Sequence, residues 1–214
     1  MSNIVATPTI KNPWLDRHEQ FCAIVKSEAI DLLFLGDSIT EGWASHGAET
    51  WSSHYARRKA ANFGINGERI QNLLWRVING SLDGISPKLI VLLIGTNNAA
   101  RNSLADIIEG IQILLQEIMV RCPESKILLL APFPRETEPV AERRRLVNDI
   151  NGALELIAYP ANIHFMNIAE AFLDSDGRLP TRLFPDGLHP VAEAYAIWAE
   201  RIEPVVRQYV DGEN

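Results

Sequence analysis

Short runs of apolar residues alternate along the chain with longer segments in which apolar residues recur every three or four positions. Short runs bounded by turn residues predict buried strands, and the longer periodic segments predict amphipathic helices. The predicted strands cover residues 31–35, 60–63, 89–94, 127–131 and 163–168. The third strand is apolar throughout, which is typical of a parallel strand buried on both faces.

Helical periodicity is clearest between the third and fourth predicted strands. Apolar residues from Leu104 to Ile118 fall on one helix face, and Ser103 stands at the expected N-cap. Further helices are predicted over residues 69–78, 142–157 and 191–210, and a leading helix over residues 12–27. Strands separated by helices predict an α/β fold, namely a three-layer α/β/α arrangement around a five-stranded parallel sheet.

Length and composition bound the class of protein. The chain has 214 residues, of which 47% are hydrophobic and 22% charged, and this suits one soluble globular domain. We expect residues 1–28 to form an N-terminal extension with its leading helix packed on the domain, and residues 29–214 to form that domain. The net charge of −7 argues against a nucleic-acid partner.

Targeting signals and metal-binding patterns are absent from the sequence. No apolar run approaches the roughly 18 residues of a membrane span. The first ten residues lack the basic start and apolar stretch of a secretory signal, so we expect a cytoplasmic protein. Cys22 and Cys122 are too few for a disulfide framework or a zinc site, and no histidine pair has metal-ligand spacing. We therefore expect no metal.

The tripeptide Gly36-Asp37-Ser38 follows the first predicted strand directly. It places a serine at the carboxyl end of a strand, where open α/β sheets bind their ligands. A serine hydroxyl is a poor nucleophile unless a base removes its proton. Taken alone, the tripeptide also suits an ordinary turn and N-cap, so its interpretation depends on the rest of the chain.

Two further polar segments follow the second and third predicted strands. The segment NFGINGE, residues 62–68, opens a helix, and its glycines either allow tight turns or leave a backbone N–H facing an anion. The segment Gly95-Thr96-Asn97-Asn98 follows the most apolar strand. Its amides either cap the turn or donate to a developing oxyanion.

The segment Asp186-Gly187-Leu188-His189-Pro190 is the most specific of the four. Histidine suits general-base work near neutral pH, and a carboxylate three residues earlier can reach its ring and fix the tautomer. The alternative is an Asp-Gly turn that leads into a helix. The order serine, aspartate, histidine matches the triads of α/β-hydrolases, although their Gly-x-Ser-x-Gly motif is absent.

Together the four segments resemble the conserved blocks of the SGNH, or GDSL, hydrolase superfamily over about residues 31–200. Within it, the stretch NFGINGERIQNLLWRVINGSLDGISPKLIVLLIGTNN is similar to the platelet-activating-factor acetylhydrolase catalytic subunits and their bacterial relatives. The chain departs from the pattern at Asn98, often an aspartate in the superfamily, and at Asn66, commonly a glycine in this group. The resemblance implies a flavodoxin-like fold, esterase activity and a homodimer.

The resemblance also assigns roles to residues by position. Ser38 would be the nucleophile, His189 its base and Asp186 the partner of the base. The oxyanion hole would be formed by the backbone N–H groups of Ser38 and Gly67 and by the side-chain amide of Asn97. This chemistry needs neither a metal nor an organic cofactor.

The expected reaction is hydrolysis of a small-molecule, short-chain (acetyl-type) carboxylic ester through an acyl-enzyme. Candidates for the acyl pocket, with core packing as the alternative, are Trp43, Phe133, Leu183 and Phe184. Two other enzyme classes stay open: a carbohydrate O-deacetylase, and a lipase of the lysophospholipase or thioesterase type. Outside enzymes, a flavodoxin-like protein that binds a ligand or partner at the same strand ends is the competing hypothesis.

Overall fold

A computed structural model describes residues 5–10, 14–99 and 101–213. Within them, five parallel strands form one sheet in the order β2-β1-β3-β4-β5. The strands are β1 Leu32–Gly36, β2 Ala60–Gly64, β3 Leu89–Leu93, β4 Lys126–Leu130 and β5 Ile163–Met166. Gly36 pairs in register with Gly64 and Leu93, so three strands end level with one another at one edge of the sheet.

Helices cover both faces of this sheet, which confirms the predicted three-layer α/β/α fold. The helices are α1 Leu15–Ser27, α2 Ser38–Glu41, α3 Ala48–His54, α4 Ile70–Ile78, α5 Leu104–Arg121, α6 Glu142–Glu155 and α7 Ala192–Val206. Side chains of α1, α4, α5 and α6 pack on one face, and those of α7 pack on the other. Within the described ranges, no helix combines the length and apolar character that crossing a bilayer demands.

The two faces of the sheet differ in their side chains. Leu33 and Leu35 of β1 point into a largely aliphatic layer beneath α4, α5 and α6. Phe34, between them, points into an aromatic layer that contains Trp43 and Trp198, whose ring centroids are 4.8 Å apart. Alternation along a strand therefore sends neighbouring residues into two distinct cores.

The predicted element boundaries differ from the observed ones in a few places. Ser103 caps α5 as predicted, since its Oγ accepts a hydrogen bond from the Asp106 N–H at 3.1 Å. The last α-helix ends at Val206 and is shorter than expected, because the chain continues as a π turn over Arg207–Asp211. The predicted start of the leading helix at residue 12 lies outside the described residues, and α1 begins at Leu15.

Candidate active site

Ser38 is the first residue of α2, immediately beyond the end of β1. A Cβ at Gly36 would collide with the Leu93 carbonyl oxygen and the Thr40 side chain, so only glycine fits where the strand turns into the helix. Asp37 caps α2, because its Oδ1 accepts the Ile39 N–H at 3.0 Å. This tight turn presents a half-buried Ser38 side chain at the carboxyl edge of the sheet.

Ser38, His189 and Asp186 form an unbroken row of hydrogen bonds. The Ser38 Oγ lies 3.0 Å from the His189 Nε2, although 151 residues separate the two in sequence. The His189 Nδ1 lies 2.6 Å from the Asp186 Oδ2. In the tautomer that carries its proton on Nδ1, the ring donates to Asp186 and leaves Nε2 free to accept the serine proton.

The Asp186 carboxylate is fixed by its own loop. Its Oδ1 accepts the N–H groups of Leu188 at 2.9 Å and His189 at 2.7 Å, while its Oδ2 faces the imidazole. Burial raises the pKa of Asp186, but the hydrogen bonds from His189 and Leu188 outweigh it and lower this pKa to about 2. The carboxylate is therefore ionised at neutral pH and held in one orientation.

Asn97 connects the other two polar segments. Its Nδ2 donates to the Asp37 Oδ2 at 3.2 Å and to the Glu68 carbonyl oxygen at 2.9 Å. Asp37 adjoins Ser38, and Glu68 adjoins Gly67, whose φ of +67° is in the left-handed region that favours glycine. The three segments that follow β1, β2 and β3 thus converge beside the serine.

Charged groups lie buried beneath this convergence. Glu68 is fully buried and pairs with Arg76, whose Nε and Nη2 donate to the two carboxylate oxygens at 2.7 and 2.5 Å. Burial raises the pKa of Asp37 to about 7, and the Glu68 charge adds to this rise while the Ile39 N–H opposes it. The floor of the site therefore holds one paired and one partly protonated carboxyl group at neutral pH.

A cavity of about 530 Å³ opens beside Ser38 and His189. Its walls are mostly polar or small, and they include Glu41, Ser45, His46, Asn66 and Tyr195. A carboxylate, a hydroxyl, an imidazole and an amide are suited to hydrogen bonding with a polar alcohol group.

The candidates for an acyl pocket lie in the core instead. Trp43, Phe133, Leu183 and Phe184 are each at most 2% exposed, and they do not line the cavity beside Ser38. The short 3-10 turn Gly42–Ala44 directs Trp43 inward, where its ring lies 4.6 Å from that of Tyr195. The environment of these four residues is therefore that of core packing, the alternative to an acyl pocket.

Sequence reasoning missed two side chains that organise the site. The Tyr195 hydroxyl donates to the Ile39 carbonyl oxygen at 2.7 Å and ties α7 to the turn that carries Ser38. The Arg135 Nη1 donates to the Thr96 carbonyl oxygen at 3.0 Å. No motif marks either residue, and the only available signals were the nearness of Tyr195 to His189 and of Arg135 to the end of β4.

A parallel α/β/α sheet with serine, histidine and aspartate in one hydrogen-bonded row has the arrangement of a serine hydrolase. The family model described as "GDSL-like Lipase/Acylhydrolase family" matches residues 34–197, and the chain belongs to this family. It is accordingly a carboxylic ester hydrolase.

Named relatives agree with this assignment. The chain is 32% identical over 200 residues to the platelet-activating factor acetylhydrolase IB subunit alpha2 of Rattus norvegicus, covering 92% of this chain and 85% of the relative. It is 33% identical over 178 residues to the alpha1 subunit of Homo sapiens, covering 82% and 75%.

Solved structures resemble the fold. A GDSL-like lipase from Bacteroides thetaiotaomicron superposes with a TM-score of 0.73 at 20% identity, over 89% of this chain and 97% of that one. An acetylxylan esterase from Geobacillus stearothermophilus has a TM-score of 0.65 at 21% identity, over 86% and 94%.

Proposed function

We propose that the protein hydrolyses short-chain, acetyl-type esters through an acyl-enzyme formed on Ser38. The observation that supports this most directly is the row of hydrogen bonds from the Ser38 Oγ through His189 to Asp186, with heavy-atom distances of 3.0 and 2.6 Å. A nucleophile within hydrogen-bond reach of its base, and a base oriented by a third group, is the geometry that nucleophilic catalysis requires.

In the proposed reaction, the His189 Nε2 takes the Ser38 proton while the Oγ attacks the ester carbonyl carbon. The C–O bond to the alcohol then breaks, and His189 returns the proton to the leaving alkoxide. Water attacks the acyl-enzyme in the second half, with His189 again acting first as base and then as acid. The Asp186 carboxylate stabilises the imidazolium in both halves, and its lowered pKa of about 2 keeps it charged at neutral pH.

The carbonyl oxygen gains negative charge in each tetrahedral intermediate. We propose that the N–H groups of Ser38 and Gly67 and the Asn97 amide donate to it. Asn97 supports this assignment by its position between the turn of Ser38 and the segment of Gly67. Its two N–H groups donate to the Asp37 carboxyl group and the Glu68 carbonyl oxygen, and one of these hydrogen bonds is exchanged for the oxyanion. An oxyanion draws the amide proton more strongly than a neutral carbonyl oxygen does, so this donation strengthens in the transition state.

The alcohol part of the substrate has two candidates, both carrying an acetyl group. The acetylhydrolase relatives are named for platelet-activating factor, whereas a structural neighbour is named for acetylxylan. The cavity wall favours the second, because Glu41, His46 and Asn66 place polar groups along it that can bind hydroxyl groups. We therefore propose O-deacetylation of a carbohydrate as the second candidate function, in which the alcohol part of the ester is polar and hydroxylated.

Covalent labelling followed by a chain-length series tests the reaction. A fluorophosphonate probe should label Ser38 in the folded protein and lose that reaction on heat unfolding. The turnover of p-nitrophenyl esters should be greatest for acetate and decline with longer acyl chains. Ser38→Ala should abolish labelling and hydrolysis, while Ser52→Ala, a matched change at an exposed serine of α3, should leave them unchanged. A native protein that neither reacts with the probe nor cleaves any ester would overturn the proposal in favour of a binding role.

A direct comparison of acetylated substrates separates the two alcohol classes. Acetylated xylo-oligosaccharides and an acetylated ether phospholipid are offered at equal concentrations, and acetate release is measured. A higher kcat/KM for the sugar supports the polar subsite, and a higher value for the phospholipid rejects it.

A further inference from the structure

Arg144 on α6 is a buried arginine that binds backbone rather than a carboxylate. It is 2% exposed. Its three nitrogens donate to carbonyl oxygens, with Nε to Arg135 at 2.9 Å, Nη2 to Glu136 at 2.6 Å and Nη1 to Gly177 at 3.2 Å. A planar guanidinium used in this way fixes the path of the two loops that supply those oxygens.

One of the residues whose carbonyl oxygen Arg144 binds has an unfavourable backbone conformation. Glu136 has a φ of +62°, in the left-handed region where a Cβ is disfavoured. Such a conformation persists only when the surroundings hold it in place. The carbonyl oxygen of this same residue is the one that Arg144 Nη2 binds at 2.6 Å.

The strained residue touches the loop of the general base. The Glu136 N–H donates to the Gly187 carbonyl oxygen at 2.6 Å. A Cβ added at Gly187 would lie only 3.2 Å from the Glu136 Cα, so the two backbones are in close contact. Gly187 lies between Asp186 and His189, and a shift of Glu136 therefore displaces the loop that carries both.

The neighbouring residue reaches the opposite side of the site. The Arg135 Nη1 donates to the carbonyl oxygen and the Oγ1 of Thr96 at 3.0 and 3.3 Å. Thr96 directly precedes Asn97 in the turn after β3. The segment 135–136 thus connects the turn of Asn97 with the loop of His189. Arg144 holds this connecting segment through hydrogen bonds to its two carbonyl oxygens.

We propose that Arg144 is a positioning residue for the hydrolytic site: its guanidinium holds Glu136 in the left-handed conformation and thereby sets the place of the Asp186–His189 loop. The inference rests on the proposed esterase function. Without the three hydrogen bonds from the guanidinium, Glu136 relaxes to a negative φ and its N–H leaves the Gly187 carbonyl oxygen. His189 then moves relative to Ser38.

Arg144→Lys is the first test because it keeps the positive charge and removes the planar guanidinium that binds three carbonyl oxygens. We expect kcat on p-nitrophenyl acetate to fall about 10- to 100-fold with KM changed less than about threefold, since a displacement of catalytic groups on the order of 1 Å has effects of this size. Arg145→Lys, an adjacent exposed arginine on the same helix, is the matched control and should behave as wild type. A folded Arg144→Lys protein with unchanged kcat overturns the proposal.

Rescue distinguishes positioning from a general loss of stability. Glycine adopts a positive φ without strain, so Glu136→Gly should make the connecting segment independent of Arg144. In the Glu136→Gly background, Arg144→Lys should lower kcat by less than about threefold. An equal loss of kcat in both backgrounds rejects the proposal, even if both proteins melt at lower temperature.

Two spectroscopic measurements do not depend on catalysis, and the first is made on the wild-type protein, so it stands even if the Arg144 variants do not fold. In the wild-type protein, the Glu136 amide should exchange slowly with solvent because it donates to Gly187, and rapid exchange contradicts the inference. Where Arg144→Lys folds, the low-field proton between the His189 Nδ1 and Asp186 should shift or broaden, and an unchanged resonance counts against the inference. Both readouts stand even if no ester is cleaved, so failure of the proposed function and failure of this inference are distinguishable.

Discussion

Two aspartates flank the proposed nucleophile, and they occupy opposite environments. Asp37 precedes Ser38 and is 1% exposed, while the side chain of Asp186 is 56% exposed. Burial raises the pKa of Asp37 to about 7, whereas hydrogen bonds from its own loop offset burial and lower the pKa of Asp186 to about 2. At neutral pH the same residue type is thus partly protonated at one position and ionised at the other.

This difference indicates two tasks. In the proposed reaction Asp186 stabilises an imidazolium and must keep its charge, which two backbone N–H groups of its own loop favour. A full negative charge on Asp37, which accepts a hydrogen bond from Asn97, would oppose the proposed oxyanion, and burial of Asp37 reduces that charge. Asp37 instead serves as the cap of α2 and as a contact of Asn97.

Asp186→Asn should have the largest effect on kcat, and it tests the charged aspartate of the two. An asparagine cannot stabilise the imidazolium and favours the wrong tautomer, so kcat should fall by about 10⁴ with the fold retained. Steady-state hydrolysis of p-nitrophenyl acetate measures this loss, with Asp149→Asn on the exposed side of α6 as the control. A loss below about tenfold would remove Asp186 from the proposed triad.

Asn97→Ala tests the proposed donor to the oxyanion, which contacts Asp37. Loss of one donor to an oxyanion usually costs about 10² to 10³ in kcat. We expect that reduction together with a nearly unchanged KM. If kcat keeps its wild-type value in a folded protein, the amide has no part in charge stabilisation.

Asn98→Ala sharpens this result at the adjacent position. Asn98 is fully buried, and its Oδ1 accepts the Ile70 N–H at 3.0 Å at the start of α4. Removing a buried partner costs about 1–3 kcal/mol of unfolding free energy. Chemical denaturation should show this loss while kcat stays within about threefold of wild type. A catalytic defect as large as that of Asn97→Ala would mean that the two amides act as a unit.

The pH dependence of stability separates the two aspartates directly. The folded protein holds a proton on Asp37 more tightly than the unfolded chain, so this group lowers stability as pH rises from 3.8 to about 7. Asp186 has the opposite sign, and its contribution is lost as pH falls from 3.8 to about 2.

Denaturation at several pH values measures these contributions. One proton changes the unfolding free energy by at most about 1.4 kcal/mol per pH unit. Asp37→Asn should flatten the decline between pH 4 and pH 7 and leave the acid side unchanged, windows that follow from the two pKa shifts. An identical slope in wild type and variant would show that Asp37 is ionised throughout that range.

The sequence was sufficient to predict the strands and the polar segments that follow them. β3 is apolar at every position, and a parallel sheet places the ends of such strands at one edge. The geometry of Ser38, Asp186 and His189 agrees with the prediction from their residue types, while their catalytic roles, the division at residue 28, the homodimer and the cytoplasmic location stay predictions.

Other features depend on contacts that no local pattern encodes. Trp43 is close to Ser38 in sequence, yet a short 3-10 turn sends its ring into the aromatic core. Arg144 is the middle one of three consecutive arginines, a run typical of a solvated face, yet it is buried and binds the loops that contain Glu136 and Gly177. Tertiary packing determines both outcomes, and periodicity within one helix does not report it.

The distance of 151 residues between Ser38 and His189 has a consequence for biosynthesis. A ribosome releases the proposed nucleophile early, while the proposed base is made only shortly before α7. A growing chain can therefore contain all five strands, the last of which ends at Met166, before its proposed base is made. The proposed triad is complete only once His189 is present, so a chain that terminates upstream of it should hydrolyse no ester.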